Sequence, residues 1–248
     1  MQLSLVVPAF RKDRWQKFYD SIGEAFHGEW EVIIVGPYEP DFKKDNMRWI
    51  EDWGCPTKCM QRGLLDATGD YISFTWDDVI YRKDMLDKGW EILKEHNFNP
   101  KIATIGKYVE GGFANTFALS DDFSLVESHP DAKTEGIPGK YLIQSTGITS
   151  RKEVMDIGGC DCRFEDMAYS VLDLSVRLQA NGVKFIIQQG VTLDCTWDLG
   201  EEHAPVMEAW TKRSRPLWKH IYRNPITNIV IDKDNWKNAK EKWRRFNV

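Results

Sequence analysis

The sequence predicts an α/β protein built on a mostly parallel sheet flanked by helices, and three observations carry that expectation. Short β-branched runs alternate with stretches whose apolar residues recur at helical spacing. One of the runs, within "EWEVIIVG", is a near-continuous apolar stretch, as strands buried on both faces are, and another, "LSLVV", is stopped by Pro8. An acid pair, Asp77-Asp78, directly follows a third run, "DYISFTW". Open parallel sheets bind ligands outside the carboxyl ends of their strands, so this is where a site is expected.

Leu3 to Val7 reads as the first strand, stopped by Pro8, and Trp15, Phe18, Ile22 and Phe26 follow at helical spacing. With the second strand, Glu29 to Gly36, they make one βαβ unit. "MRWIED" reads as a short third strand. "PTKCMQRGLLDAT" reads as a helix opened by Pro56, whose missing N–H costs nothing in a first turn. "DYISFTW" is the fourth strand, "KDMLDKGWEILKEH" a helix and "KIATIGKYV" another strand. From about Gly111 to Lys140 the pattern loosens into Gly, Ser, Asp and Pro, as a long loop or small irregular β region facing an acceptor does. Order returns with "KYLIQSTGIT", a short helix "RKEVMDI", the turn "GGCDCRFED" and a helix from about Met167 to Asn181 ended by Gly182. "VKFIIQQ" and "VTLDCTW" close the core, and "WKNAKEKWRRF" has the pattern of an amphipathic helix. We expect one domain over residues 1–205 and a basic, helical extension over 206–248 packed on it.

The 248 residues suffice for one large sheet domain; the 42% hydrophobic and 29% charged fractions are those of a soluble globular protein. A formal net charge of −5 argues against nucleic acid as a partner. From Lys212 onward basic residues outnumber acidic ones more than three to one, a distribution that could meet phosphate or form a solvated helix. No apolar run approaches the roughly 18 residues of a membrane span, and no basic leader precedes "LSLVVPAF", so a cytoplasmic protein without a transmembrane segment is expected. Five cysteines, an odd number, do not form a disulfide framework and fit a reducing compartment. The pairs Cys55/Cys59 and Cys160/Cys162 lack zinc-knuckle spacing and read as structural thiols.

The loops choose among nucleotide-binding chemistries. A dinucleotide fold needs a glycine-rich turn after its first strand, and a P-loop needs a Gly-Lys-Ser/Thr cradle. The first strand here ends in "PAFRKD", which is neither. Carboxylates at a strand end can instead hold a hard divalent cation that neutralises a diphosphate. Asp77 and Asp78 suit that task, although acids after a strand also serve as turns and helix caps.

Four segments in order, "LSLVVPAF", "EVIIVG", "PTKCMQRGLLDATGDYISFTWDD" and "GGCDCRFEDMAYSVLDLSVRLQANGVKF", resemble the family 2 glycosyltransferases of the GT-A fold over about residues 1–200. The resemblance implies a nucleotide-sugar donor, a UDP-hexose such as UDP-glucose or UDP-galactose, used with Mn²⁺ or Mg²⁺. It also implies inverting transfer to an acceptor hydroxyl. Pro8, Ala9 and Phe10, with Arg11 behind them, match the first-strand end that contacts the nucleotide; Lys58 and Gln61 match a later nucleotide-binding segment. The family's acid after the second strand falls on Gly36 or Pro37 and is absent. Its Asp-x-Asp motif falls on Trp76-Asp77-Asp78, leaving Asp78 as the metal ligand and Trp76 in place of the first acid. His203 resembles a late histidine that completes the metal site, and imidazole suits Mn²⁺ better than Mg²⁺.

For the general base, Asp161, Glu165, Asp166 and Asp173 are available and two registers compete. The expected base is Asp173, with Glu165 and Asp161 holding hydroxyls; the bland alternative pairs Asp173 with Arg177 at i,i+4. Lys212 and Arg213, with Arg215, could close over the diphosphate, and Trp197, Trp210 and Trp218 could stack on sugar or fill the core. The competing reading is a non-catalytic nucleotide- or carbohydrate-binding module on a degenerate version of this fold.

Overall fold

The computed structural model describes residues 1–110, 142–144, 146–196, 204–222 and 229–246. The expected loop at 111–140, and His203 and Trp197, lie outside the described residues. The central sheet takes β1 (Leu3–Pro8), β2 (Trp30–Gly36), β3 (Met47–Glu51), β4 (Tyr71–Phe74) and β7 (Thr149–Ser150) in the order β3-β2-β1-β4-β7. The first four run parallel and only β7 is antiparallel, with Leu3 opposite both Trp30 and Tyr71. A second sheet, order β5-β8-β6, joins β5 (Val79–Tyr81), β8 (Lys184–Cys195) and β6 (Ile102–Glu110). Thr104 and Gly106 of β6 donate backbone N–H groups to the carbonyls of Ile148 and Thr146, which stitches the two sheets together.

Helices α1 (Trp15–Ala25), α2 (Pro56–Asp66), α3 (Met85–Glu95), α4 (Arg151–Asp156) and α5 (Met167–Ala180) cover the sheets. Side chains alternate across a strand, so β1 and β2 feed two cores at once. Leu3, Leu5, Val7, Val32 and Ile34 pack with Trp15, Phe18 and Ile22 of α1. Val6, Ile33 and Val35 pack with Met60 and Leu64 of α2 and Leu174 and Leu178 of α5. Gly182, at φ +87°, ends the α5 region in the left-handed conformation that glycine tolerates best. A further helical stretch runs from α6 (Ala204–Ala209) through a π-helical turn into α7 (Arg215–Ile221). Its Trp218 and Tyr222 bury against Tyr169, Leu172 and Val176 of α5. No helix among the described residues is long and apolar enough to cross a membrane.

Three local expectations change. "VKFIIQQ" and "VTLDCTW" form one strand, β8, which stays continuous because Gly190 takes φ +92° where its register against β6 shifts. Strand β5, only three residues long, was not read as a strand. The "WKNAKEKWRRF" stretch is not one helix but two short 3-10 turns, Asn235–Asn238 and Arg244–Phe246, within a strap over residues 229–246. Tertiary partners hold it extended. Ile231 N–H bonds the Ile157 carbonyl, the Asn235 amide bonds Cys160 O and Cys162 N–H, and Trp243 N–H bonds Trp53 O.

The ends of β1 and β2 touch through their backbones. A Cβ on Gly36 would lie 1.8 Å from the Ala9 carbonyl oxygen, so no side chain fits there. Gly36→Ala is expected to lower the urea midpoint at unchanged m-value, by about 2 kcal/mol or more, the scale of forced overpacking against rigid backbone.

Candidate active site

A cavity of about 370 Å³ opens at the carboxyl ends of β1, β2 and β4, and Pro8, Ala9, Phe10, Arg11, Asp77 and Asp78 contribute to its lining. Its floor is organised by Asp77. One oxygen, Oδ2, accepts the backbone N–H groups of Phe10 and Arg11, each at 2.7 Å, and the Trp15 indole N–H at 3.2 Å. The other accepts Arg11 Nη1 at 2.7 Å. Asp77 is therefore a clamp that fastens the loop after β1 to the end of β4, with its oxygens committed to protein donors.

Asp78 faces the same cavity in a different environment. Its Oδ2 lies 3.2 Å from Arg11 Nη1 and 3.7 Å from Arg14 Nη1, and the Cys195 thiol donates to Oδ1 at 3.7 Å. Burial pushes its carboxyl up to about 6; Arg11 pulls against that, Asp77 adds to the rise and Arg14 pulls back. Trp76, in the place of an acid, donates its indole N–H to Cys195 Sγ at 3.0 Å and meets Tyr108 edge-on at 5.5 Å. It ties the acid loop to the second sheet and forms an apolar wall.

As a donor set for a divalent cation, the described residues supply one hard oxygen ligand in the cavity, Asp78, already ion-paired to two guanidinium groups. Asp77 is spent on the loop. The only group with metal-ligand spacing among the described residues is His27, Asp84 and Asp87, at the opposite end of the sheet, where β2 begins. His27 Nδ1 is held there by Asp87 Oδ2 at 2.6 Å.

Several expected site residues stand elsewhere. Lys58 does not line the cavity; it is buried against Asp52 at 3.2 Å, a carboxylate also paired with Arg62 at 2.8 Å. Gln61 is fully buried and acts as a strut: Nε2 donates to the carbonyls of Gly158 and Lys233, and Oε1 accepts Cys160 N–H. An amide with donors and an acceptor satisfies this crossing of chains, which is why a polar residue sits in the core. Lys212 and Arg213 are exposed outside the lining, with Lys212 3.8 Å from Glu208. Trp210 lines the cavity, whereas Trp218 belongs to the core.

The expected base, Asp173, is corrected by its surroundings. It is 2% exposed, accepts Arg177 Nε and Nη2 at 2.8 and 2.6 Å, and takes the Tyr222 hydroxyl at 2.6 Å. The i,i+4 pairing with Arg177 is the one realised, and no oxygen is left toward a substrate. Asp161 is buried in a forked pair with Arg163, and Glu165 accepts Arg244. Asp166 is as buried as Asp173, at 2% exposed, and does not itself line the cavity, but among the described residues it is in no ion pair: it caps α5 by accepting Tyr169 N–H at 3.0 Å, and the next two residues, Met167 and Ala168, line the cavity. Burial raises its carboxyl above the ordinary range, against hydrogen bonds from Ser214 and backbone N–H groups.

Reading the sequence missed one wall. Trp243, Arg245 and Phe246, from the strap, line the cavity beside Phe10, Gly36 and Gly54. The alternation of basic and aromatic residues in "KWRRF" was the available signal, and it was read as a helix face. The five cysteines are all buried thiols outside any disulfide, and burial pushes the Cys55 and Cys160 thiols up to about 12, so these two stay protonated.

No family model matches the chain. An uncharacterized glycosyltransferase of Rickettsia felis (strain ATCC VR-1525 / URRWXCal2) is 23% identical over 148 residues, covering 53% of this chain and 25% of the relative. The chain thus spans about a quarter of the length of that curated relative. Among solved structures, TarS 1–349 of S. aureus superposes with a TM-score of 0.60 at 16% identity, over 79% of this chain and 60% of that one. The same protein in complex with UDP gives 0.56 at 17% identity, over 84% and 64%; in complex with UDP-GlcNAc it gives 0.57 at 17%, over 81% and 60%. The likeness establishes the fold, a mixed α/β sheet of the GT-A glycosyltransferase type.

Two expectations follow from the acids. The folded-state carboxyl of Asp78 lies above its ordinary 3.8, so its neutral form stabilises the fold. That contribution is complete below about pH 3.8 and is lost as pH rises through about 6. Asp78→Asn, permanently neutral, is expected to exceed wild type in stability at pH 7 by about 1–3 kcal/mol, with the gap closing by pH 4, as read from paired denaturation curves. Asp173→Asn leaves the Arg177 charge buried without its counter-ion and is expected to cost about 3–5 kcal/mol in the same assay.

Proposed function

We propose that the chain is a glycosyltransferase that moves a hexose from a nucleotide sugar, with UDP as the nucleotide, to an acceptor hydroxyl with inversion. The observation that carries the reading is Asp78, set beside Arg11 at the carboxyl end of β4 in a cavity large enough for part of a nucleotide sugar. The Rickettsia relative's name and the UDP and UDP-GlcNAc complexes of TarS support the class of donor. UDP-glucose and UDP-galactose are the hexose donors first to be tried, alongside UDP-GlcNAc.

In this reading Asp77 keeps the loop after β1 rigid, and Arg11 and Arg14 bring positive charge to where a diphosphate would gather negative charge. Trp76 and Trp210 offer apolar faces to the sugar ring. Mn²⁺ or Mg²⁺, held by Asp78 with His203 as the proposed second ligand, would neutralise the departing nucleoside diphosphate. The acceptor oxygen bonds to the anomeric carbon as the bond to the diphosphate breaks on the opposite face, and its proton must pass to a base. With Asp173, Asp161 and Glu165 held in ion pairs, we place that role on Asp166, whose α5 neighbours line the cavity.

Release of UDP from the donor panel, measured with and without Mn²⁺, tests the proposal. Asp78→Ala is expected to reduce turnover about a hundredfold or more. Asn caps a helix about as well as Asp, so Asp166→Asn separates proton transfer from capping and is expected to lower kcat by about 10² or more at unchanged melting temperature. UDP binding without release from any donor would instead favour a binding module, the reading that the three ion-paired acids also favour.

A further inference from the structure

Three of the six large hydrophobic side chains exposed among the described residues stand together at the cavity mouth: Tyr38, Trp53 and Met207, at 40%, 36% and 40% exposed. Met207 lines the cavity itself, Tyr38 follows the lining residue Pro37, and Trp53 precedes the lining residue Gly54. Contacts join them into one ridge. Tyr38 meets Trp53 edge-on at 6.0 Å, and Trp53 meets Phe246 edge-on at 5.3 Å. Phe246 and Val206 pack on the same buried cluster around Trp243, and Val206 leads directly to Met207. Single exposed apolar side chains need no explanation, but a contiguous row at the mouth of a cavity marks a surface that meets something.

Cations accompany the ridge. Lys242 Nζ lies 5.8 Å over the Trp53 ring, and Arg244 and Lys212 stand 3.1 and 3.8 Å from Glu208, the residue after Met207. Over residues 204–222 and 229–246, ten Lys and Arg face four Asp and Glu, in a chain whose formal net charge is −5. The nearby acids are matched: Glu208 by those two cations, Glu39 by Lys43 at 3.4 Å and Asp41 by Lys12 at 2.5 Å, while Glu51 accepts the Trp53 indole N–H at 3.0 Å. Lys240 and Lys242 are exposed beside the ridge on the strap. Tryptophan and tyrosine favour the headgroup level of a bilayer, where one part of the ring is dry and another wet, and lysines near an anionic leaflet add attraction. A second copy of this chain is a poorer occupant, because a two-fold interface would set these cations against their own copies.

We propose that the ridge from Tyr38 to Met207, with Lys240 and Lys242, docks on an anionic lipid bilayer, so that the cavity opens toward the membrane surface. This inference goes beyond the donor reading above and does not depend on it. The contact is peripheral: aromatic and methionine side chains enter the headgroup region, and the cations meet lipid phosphates.

The test is co-flotation with vesicles of phosphatidylcholine alone and of phosphatidylcholine mixed equally with phosphatidylglycerol, at low and high salt. Wild type is expected to float with the mixed vesicles at low salt and to be released at high salt. Each cation near the surface contributes about fivefold, so Lys240→Ala/Lys242→Ala is expected to weaken binding about tenfold or more, and Trp53→Ser several-fold. Lys94→Ala is the control: Lys94 is exposed on the last turn of α3, near Phe98, whose carbonyl takes the Tyr71 hydroxyl where β4 begins. Melting curves establish that each variant is folded. Wild type that ignores the mixed vesicles, binds pure phosphatidylcholine equally well, or is matched by both folded ridge variants overturns the proposal. Self-association in lipid-free buffer that Trp53→Ser abolishes assigns the ridge to a second copy and overturns it as well.

Discussion

The site depends on a single carboxylate that faces no substrate. Asp77 accepts two backbone N–H groups from the loop after β1, an indole N–H from α1 and a guanidinium. Four donors on one buried acid fix the relative position of β1 and β4 at their carboxyl ends, where a parallel sheet presents its ligand site. Arg11 is the second product of the same clamp. Its backbone is held by Asp77, and its side chain spans Asp77 and Asp78, so the geometry of Asp78 is inherited from its neighbour. Adjacent residues in the chain thus divide the work, one locked for structure and one left facing the cavity.

Much of this was legible in the sequence. Strands β1 and β2 and helices α1, α2 and α5 follow from apolar periodicity, and the end of β4 located the acids because "DYISF" ends where the hydrophobic alternation stops. The helix-like pattern of the strap was misleading, since Trp236, Trp243 and Phe246 at near-helical spacing serve equally well to nail an extended segment to different surfaces. Strand β5 escaped notice because three residues carry no period.

The acids of the "GGCDCRFED" turn show a deeper limit. Spacing put Asp173 on the correct helix and named Arg177 as its i,i+4 partner, but could not say whether that pair faces solvent, substrate or core. Tyr222, from a helix 49 positions away, settles it by closing the remaining oxygen. Gln61 is a similar case. The family resemblance implied a ligand contact there, and Gln61 instead satisfies three backbone groups where α2, the glycine turn and the strap cross. In both cases the deciding partner is remote in sequence, and local pattern cannot supply it.

The strap crosses the sheet's periphery without pairing with any strand, held by side-chain amides, a few backbone bonds and aromatic edges. One end of the cavity is consequently built from residues that belong to no strand of either sheet. Selection can change that wall independently of the scaffold, as a replaceable insert. Descendants of a common sheet could in this way diverge in the ligand they prefer while keeping the acid pair and its clamp unaltered.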